Sequence, residues 1–208
     1  MADCQVDLAA AENIPATREL DASPVQTFWT PVHTWNRSGE LSMIAVDVIE
    51  QMLSIGVLNS ALTSVPNMGA SEIELVRVVK TIGRPLSEPH ARILKRWNGI
   101  NLDIIRIYGA TSTDEETRSL ADAQITGMAL LPGTIAFGDD PSGFIYGEDV
   151  AGSIVSFDSS CGELEIIASD MDDFFCRLVF GKDAEMFAGK EWAKLLLARS
   201  DPERHRDR

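Results

Sequence analysis

The sequence contains few of the side chains from which catalytic and metal sites are usually built. Three histidines and three cysteines occur among 208 residues, and neither set shows the close pairing of a zinc site. Cys4, Cys161 and Cys176 include no CxxC pair and no even disulfide framework, which is typical of reduced intracellular proteins. We therefore expect no metal site, no cofactor and a cytoplasmic location.

The sequence motifs of common enzyme classes are also missing. There is no GxxxxGK(S/T) or GxGxxG loop to hold a phosphate, and no GxSxG elbow to carry a nucleophile. His33, His90 and His205 are far apart along the chain, and no positional pattern links any of them to a cysteine. We predict from this that the protein is not an enzyme. An enzyme that uses paired carboxylates, with or without a metal ion, is the alternative.

Basic residues are scarce relative to acidic ones. The chain has 18 Lys and Arg against 32 Asp and Glu, which gives a net charge of −14. Because phosphate contacts need Lys and Arg, this charge argues against nucleic acid and against anionic membranes as ligands. It suits a basic protein partner, although solubility alone would also account for it. The basic residues that do cluster are expected to offset acids or to be solvated: Arg77, Lys80, Arg84, Arg92, Lys95 and Arg96.

Segments of different composition follow one another along the chain. Residues 1–40 are expected to form an acidic, partly disordered tail that includes an aromatic segment, and residues 41–70 are expected to add a helix and a loop. Residues 71–198 carry the predicted domain, and a charged tail follows over 199–208. The N-terminus lacks the basic and apolar regions of a secretory signal, and no run of about eighteen apolar residues is present to span a membrane.

Helical patterns dominate the first half of the chain and its end. Apolar residues at helical spacing predict a helix over 41–58. Polar capping residues predict three further helices, which begin at Ser71, Ser87 and Ser169. Ser71 pairs with Glu74 in a capping box, and the glycines at Gly83, Gly99 and Gly181 mark the three helix ends. A final helix is predicted over 185–200.

Short β-branched runs fill the second half of the chain. "LDIIRIYG" predicts a strand over Ile104–Tyr108, and a polar loop with a short helical turn, "TSTDEETRSLADAQ", follows. Four runs separated by turn residues come next: "TIAFGDD", "GFIYGED", "SIVSFD" and "ELEIIA". In the last run, Leu164 and Ile166 alternate with Glu163 and Glu165. The predicted fold class is α+β: a mostly antiparallel meander with helices packed on one face.

The stretch "AFGDDPSGFIYGED" places four carboxylates around a short turn. It does not have the alternating oxygen ligands of an EF-hand loop. Pro141 and Gly143 are favourable turn residues, and aspartates at turn starts are expected to cap turn amides. Contact with a partner is the other interpretation. The candidate contact residues are acids at strand ends and turns: Asp139, Asp140, Glu148, Asp149, Asp158 and Glu163.

The order of these motifs resembles the SUKH superfamily, which includes yeast cell-wall-synthesis regulators and many bacterial immunity proteins. The resemblance covers about Ser71 to Trp192. It rests on "EIELVRVVKTIGRPLSEPHARILKRWNGI", "LLPGTIAFGDDPSGFIYGED", "GSIVSFD" and "DFFCRLVFG". The sequence departs from the family pattern in "GRPLSEP", where Leu-Pro is frequent, and at Ile100, where a second Gly is frequent.

The resemblance implies an α+β fold without a catalytic site. For bacterial members it implies binding and neutralising a toxin, often a nuclease, inside the producing cell. We therefore expect a monomeric immunity protein whose acidic surface binds a basic toxin domain. The alternative is a regulatory or scaffolding module without a toxin partner, as in the eukaryotic members. Trp97, Phe174 and Phe175 are expected to be core residues and not contact residues.

Overall fold

A computed structural model of the chain describes residues 34–35, 41–42, 44–58, 68–111, 118–127, 131 and 133–200. All of these belong to one compact unit. The predictions for the N-terminal tail up to residue 33, for its aromatic segment apart from 34–35, and for residues 201–208 lie outside the described residues. Cys4, His33 and His205 lie there too.

The helices and strands follow one another much as the sequence patterns predict. The α-helices are α1 (Ala45–Ser54), α2 (Glu72–Ile82), α3 (Glu88–Arg96), α4 (Leu120–Gly127), α5 (Met171–Asp173) and α6 (Ala184–Ser200). The strands are β1 (Thr34–Trp35), β2 (Leu41–Ser42), β3 (Ile100–Asn101), β4 (Arg106–Ile107), β5 (Ile135–Asp139), β6 (Phe144–Glu148), β7 (Ile154–Asp158) and β8 (Leu164–Ala168).

The strands β3 to β8 form one antiparallel sheet in which neighbours in space are neighbours in sequence. β1 and β2 pair with each other in a separate two-stranded sheet. Helices pack against the large sheet, which confirms the predicted α+β class and the meander. Among the described helices, none is long and apolar enough to cross a bilayer.

Helix α2 begins and ends where the sequence predicts, whereas α3 begins as predicted but ends at Arg96, before the predicted stop at Gly99. The hydroxyl of Ser71 accepts from the amide of Glu74, and the Glu74 carboxylate accepts from the amide of Ser71 at 2.8 Å. Gly83 ends α2 with φ of 83°, a conformation that costs a glycine little. The Ser87 hydroxyl caps α3, and Trp97 ends that helix in the core with 1% exposure.

Several elements differ from the sequence prediction. The strand predicted over Ile104–Tyr108 is shortened to β4, because a tight turn at Asp103, with φ of 66°, precedes it. The helix predicted over 41–58 starts at Ala45, since Leu41–Ser42 pair with β1. The polar stretch that was predicted to hold one helical turn continues into the eight-residue helix α4, whose Leu120 and Ala123 are buried.

The closing helix has an unexpected cap and an unexpected geometry. Asp170, and not the predicted Ser169, caps α5, since its carboxylate accepts from the amide of Asp173 at 2.7 Å. The helix then widens into a π-helical turn over Phe174–Val179. At Gly181 a Cβ atom would lie 2.0 Å from the carbonyl oxygen of Cys176, so only glycine fits there.

A cluster of aromatic rings joins the sheet to the closing helix. The ring of Phe174 lies 5.8 Å from that of Phe137, 5.4 Å from Tyr146 and 5.0 Å from Phe175, mostly in edge-to-face or tilted geometry. Phe174 and Phe175 are both fully buried, which confirms them as core residues. Helix α1 belongs to the same core, because it packs against α3 and the π-helical turn.

Candidate functional site

The predicted contact acids divide between the two ends of the large sheet. Strand β6 runs from Phe144 to Glu148, so the turn before it and the turn after it are about 13 Å apart. The Ser159 hydroxyl donates to the carbonyl of Gly143 at 2.8 Å, which holds the β5–β6 and β7–β8 turns together. We call this end of the sheet the acidic end. It carries Asp139, Asp140, Asp158 and Glu163, while Glu148 and Asp149 lie at the opposite end.

Asp140 organises the β5–β6 turn. One of its carboxylate oxygens accepts from the amides of Ser142 and Phe144 at 2.8 and 3.1 Å, and the other accepts from the Tyr146 hydroxyl at 2.8 Å. Gly143 completes the reversal with φ of 95°. Burial and the hydrogen bond to Asp140 raise the pKa of Tyr146, so its hydroxyl remains a donor at physiological pH. The expected turn chemistry is therefore confirmed.

At the two following turns an aspartate carboxylate again accepts hydrogen bonds from turn amides. The Asp149 carboxylate accepts from the amides of Ala151 and Ser153, at 2.8 and 2.9 Å. The Asp158 carboxylate accepts from the amide of Ser160 at 2.7 Å and from its hydroxyl at 2.6 Å. These bonds from Ser160 hold the pKa of Asp158 below its ordinary value, so its charge persists into mildly acidic solution.

The charge of Asp139 is offset inside the protein. Its carboxylate accepts from the Arg106 guanidinium at 2.7 Å and from the Tyr108 hydroxyl at 2.9 Å. Burial raises the pKa of Tyr108, with the charge of Asp139 as a further cause. The negative charge that the acidic end presents to solvent therefore comes mainly from the β7–β8 hairpin.

On that hairpin, Glu163 and Glu165 are exposed. Their carboxylates make no hydrogen bond or ion pair within the part of the chain that the structure describes. Together with the half-exposed Asp158, they form a group of acids without a basic neighbour bound to them. Glu165 was missing from the predicted contact residues, although its alternation with Leu164 was visible in the sequence.

Glu148 has a role that the sequence did not indicate. Only 2% of it is exposed, and its carboxylate lies 2.9 Å from Nδ1 of His90, which is fully buried on α3. The Arg84 guanidinium donates to the carbonyls of Glu148 and Asp149 at 3.0 and 2.8 Å. The carboxylate of Glu148 therefore ties the sheet to α3 and is not placed to contact a partner, which corrects its assignment as a contact residue.

Most of the clustered basic residues form ion pairs or hydrogen bonds within the protein. Arg92 pairs with Glu88 and Asp172, Lys95 with Glu72, and Arg96 with Glu50, while Arg84 binds carbonyls. Within the described chain, no group of three or more His, Cys, Asp or Glu side chains is arranged to hold a metal ion. The acidic end and the β7–β8 hairpin are therefore a described surface that carries acids without bound basic residues.

Comparison with protein-family models finds no match to the chain, and comparison with curated proteins finds none either.

We expect Asp140→Ala to lower the free energy of unfolding by about 2 kcal/mol, because it leaves two turn amides and the hydroxyl of the buried Tyr146 without their acceptor. Urea unfolding followed by circular dichroism measures the change. Asp140→Asn keeps an acceptor oxygen and is expected to cost less than half as much. Equal stability of the two variants would show that Asp140 does not hold the turn.

Proposed function

We propose that the protein is a non-catalytic binding protein of the SUKH type, which acts in the cytoplasm as an immunity protein against a basic toxin domain. The observation that carries the proposal is the acidic end of the sheet. At that end and along the adjoining strand β8, the carboxylates of Asp158, Glu163 and Glu165 face solvent without bound counter-charges among the described residues. A surface of this kind complements the phosphate-binding face of a nuclease.

The order of elements supports the same proposal. A capped helix ending in Gly83, a second helix followed by Trp97, Asn98 and Gly99, a meander and a closing helix with Phe174 and Phe175 occur in the order that the resemblance implies. The turns of the meander are held by side-chain bonds of Asp140 and Asp158. A partner would therefore meet carboxylates that are already fixed in place, which lowers the entropy cost of binding.

Neutralisation of a toxin needs no chemistry from this chain. Charge steers the encounter and speeds association, while a few desolvated contacts determine how slowly the complex dissociates. The binding protein then only has to cover the toxin's substrate-binding face. The exposed apolar side chains next to the acids, Leu164 and Ile166, could supply the desolvated contacts.

We predict that co-expression of the chain with a basic toxin encoded by the adjacent gene restores growth and yields a complex on a sizing column. Persistent growth arrest with no complex would contradict the proposal. A genomic neighbourhood without a toxin gene would favour the alternative, a regulatory or scaffolding module.

A further inference from the structure

Strand β8 is the last strand of the described sheet. It pairs with β7 on one side, and no described strand pairs with its other side. The amide of Asp158 donates to the carbonyl of Glu163 at 2.9 Å, so the backbone of residue 163 faces β7. Because backbone groups alternate in direction along a strand, Leu164 and Ile166 direct their N–H and C=O groups to the open side. Such groups can template a further strand.

The part of the β8 edge with unpaired backbone groups, which we call the open stretch, ends before Ile167. Beyond it, the carbonyl of Ile167 accepts from the Arg177 guanidinium at 2.9 Å and is no longer free to pair. Over the open stretch the side chains are also uncovered, since 55% of Leu164 and 66% of Ile166 is exposed. Both lie on the sheet face of their cross-strand neighbours Phe157 and Val155. The edge therefore offers unpaired backbone and apolar surface at the same residues.

The side chains on the other face of this edge are acidic. Glu163 and Glu165 alternate with the apolar residues and are exposed. The charge of the neighbouring Arg177 is more than offset, because Asp173 and Asp183 each bind it at 2.7 Å. A strand added here would lie beside apolar side chains on one face and carboxylates on the other.

This pattern discriminates between possible occupants. A second copy pairing through its own β8 would bring Glu163 and Glu165 close to the same acids of the first copy, and like charges facing each other across strands are destabilising. A strand in which apolar residues alternate with Lys or Arg complements both faces. We propose that the β8 edge, Glu163–Ile166, accepts such a basic strand from a protein partner by β-strand addition. This inference rests on the proposed function and specifies the surface that serves it.

The test uses the full chain and a blocked seven-residue peptide of alternating Lys and Val. One control peptide has Glu in place of Lys, and a second has Ser in place of Val. We expect the Lys–Val peptide to bind at least about tenfold more tightly than either control. In nitrogen-edited NMR spectra, the amides of Leu164 and Ile166 are expected to shift and to exchange more slowly with solvent when it binds.

A matched pair of variants separates strand addition from general charge attraction. Ile166→Pro removes one outward N–H and leaves the ladder to β7 intact, since proline is tolerated where an edge N–H faces solvent. It is expected to weaken binding of the Lys–Val peptide at least about tenfold, while Ile166→Val leaves it unchanged. Circular dichroism confirms that both variants fold.

Four outcomes would overturn the inference. The Glu peptide could bind as tightly as the Lys–Val peptide, or the Leu164 and Ile166 amides could already be protected in the free protein, which would mean that the chain itself covers the edge. Protection that rises with protein concentration would indicate a second copy. If Ile166→Pro still neutralises the toxin as well as the unmodified chain does, this inference fails and the proposed function stands. If the unmodified chain binds the peptide but does not neutralise the toxin, the proposed function fails alone.

Discussion

Replacing Glu148 by Ala is expected to lower the free energy of unfolding by about 3 kcal/mol, which would make it one of the most destabilising single changes in the chain. The substitution leaves the fully buried His90 without its carboxylate partner at 2.9 Å. Removal of one member of a buried hydrogen-bonded pair costs far more than the pair itself contributes, because the other member stays buried and polar. Urea unfolding, monitored by circular dichroism, gives the value.

Glu163→Ala is the matched control for this prediction, since it removes the same side chain from an exposed position. It is expected to change the stability by no more than about 0.5 kcal/mol. In a double-mutant cycle, His90→Ala combined with Glu148→Ala should cost clearly less than the sum of the two single changes. Additive costs would mean that the two side chains do not depend on each other.

Phe174→Ala is expected to cost about 3–5 kcal/mol, because it opens a cavity at the centre of the aromatic cluster. The rings of Phe137, Tyr146 and Phe175 would each lose an edge-to-face or tilted neighbour. Thermal and urea unfolding of the variant provide the measurement, and the denaturant slope should stay unchanged.

Leu197→Ala serves as the control for this second prediction, because that leucine is 74% exposed on α6. It is expected to alter the stability by less than about 0.5 kcal/mol. If Phe174→Ala were as mild as Leu197→Ala, the closing helix would not be anchored to the sheet through this ring.

The sequence predicted the parts of the fold that depend on neighbouring residues. Three kinds of local feature were predicted correctly because each follows from the residue type and its near neighbours. They are the capping box of Ser71 and Glu74, the left-handed conformation of Gly83, and the aspartate that caps the amides of each hairpin turn. The meander followed from short runs between such turns. For the same reason the turn role of Asp140 was predictable without any knowledge of the tertiary structure.

Features that depend on distant residues could not be predicted in the same way. Glu148 and Asp149 are adjacent acids at a turn, yet the first is buried against His90, which lies 58 residues earlier, and the second caps the turn. The burial of Glu148 follows from where α3 packs on the sheet. Likewise, the alternation in β8 predicts a strand but not that the strand lies at the edge with its apolar residues exposed.

The structure places the four carboxylates of "AFGDDPSGFIYGED" at two opposite ends of the sheet. Asp139 is neutralised by Arg106, and Glu148 is buried. The proposed binding surface is therefore the β7–β8 hairpin with the adjoining Asp140 turn, and this proposal is the central claim to test.

The most direct test measures how fast the partner that copurifies with the chain associates with two triple variants of equal charge change. The first neutralises the acidic end, with Asp140→Asn, Asp158→Asn and Glu163→Gln, and the second neutralises acids elsewhere, with Asp149→Asn, Glu185→Gln and Glu191→Gln. We predict that only the first variant associates more slowly, by at least about tenfold at low salt and by less than about twofold at 0.5 M salt. Equal association rates for the two variants would contradict the assignment of the acidic end as the binding surface.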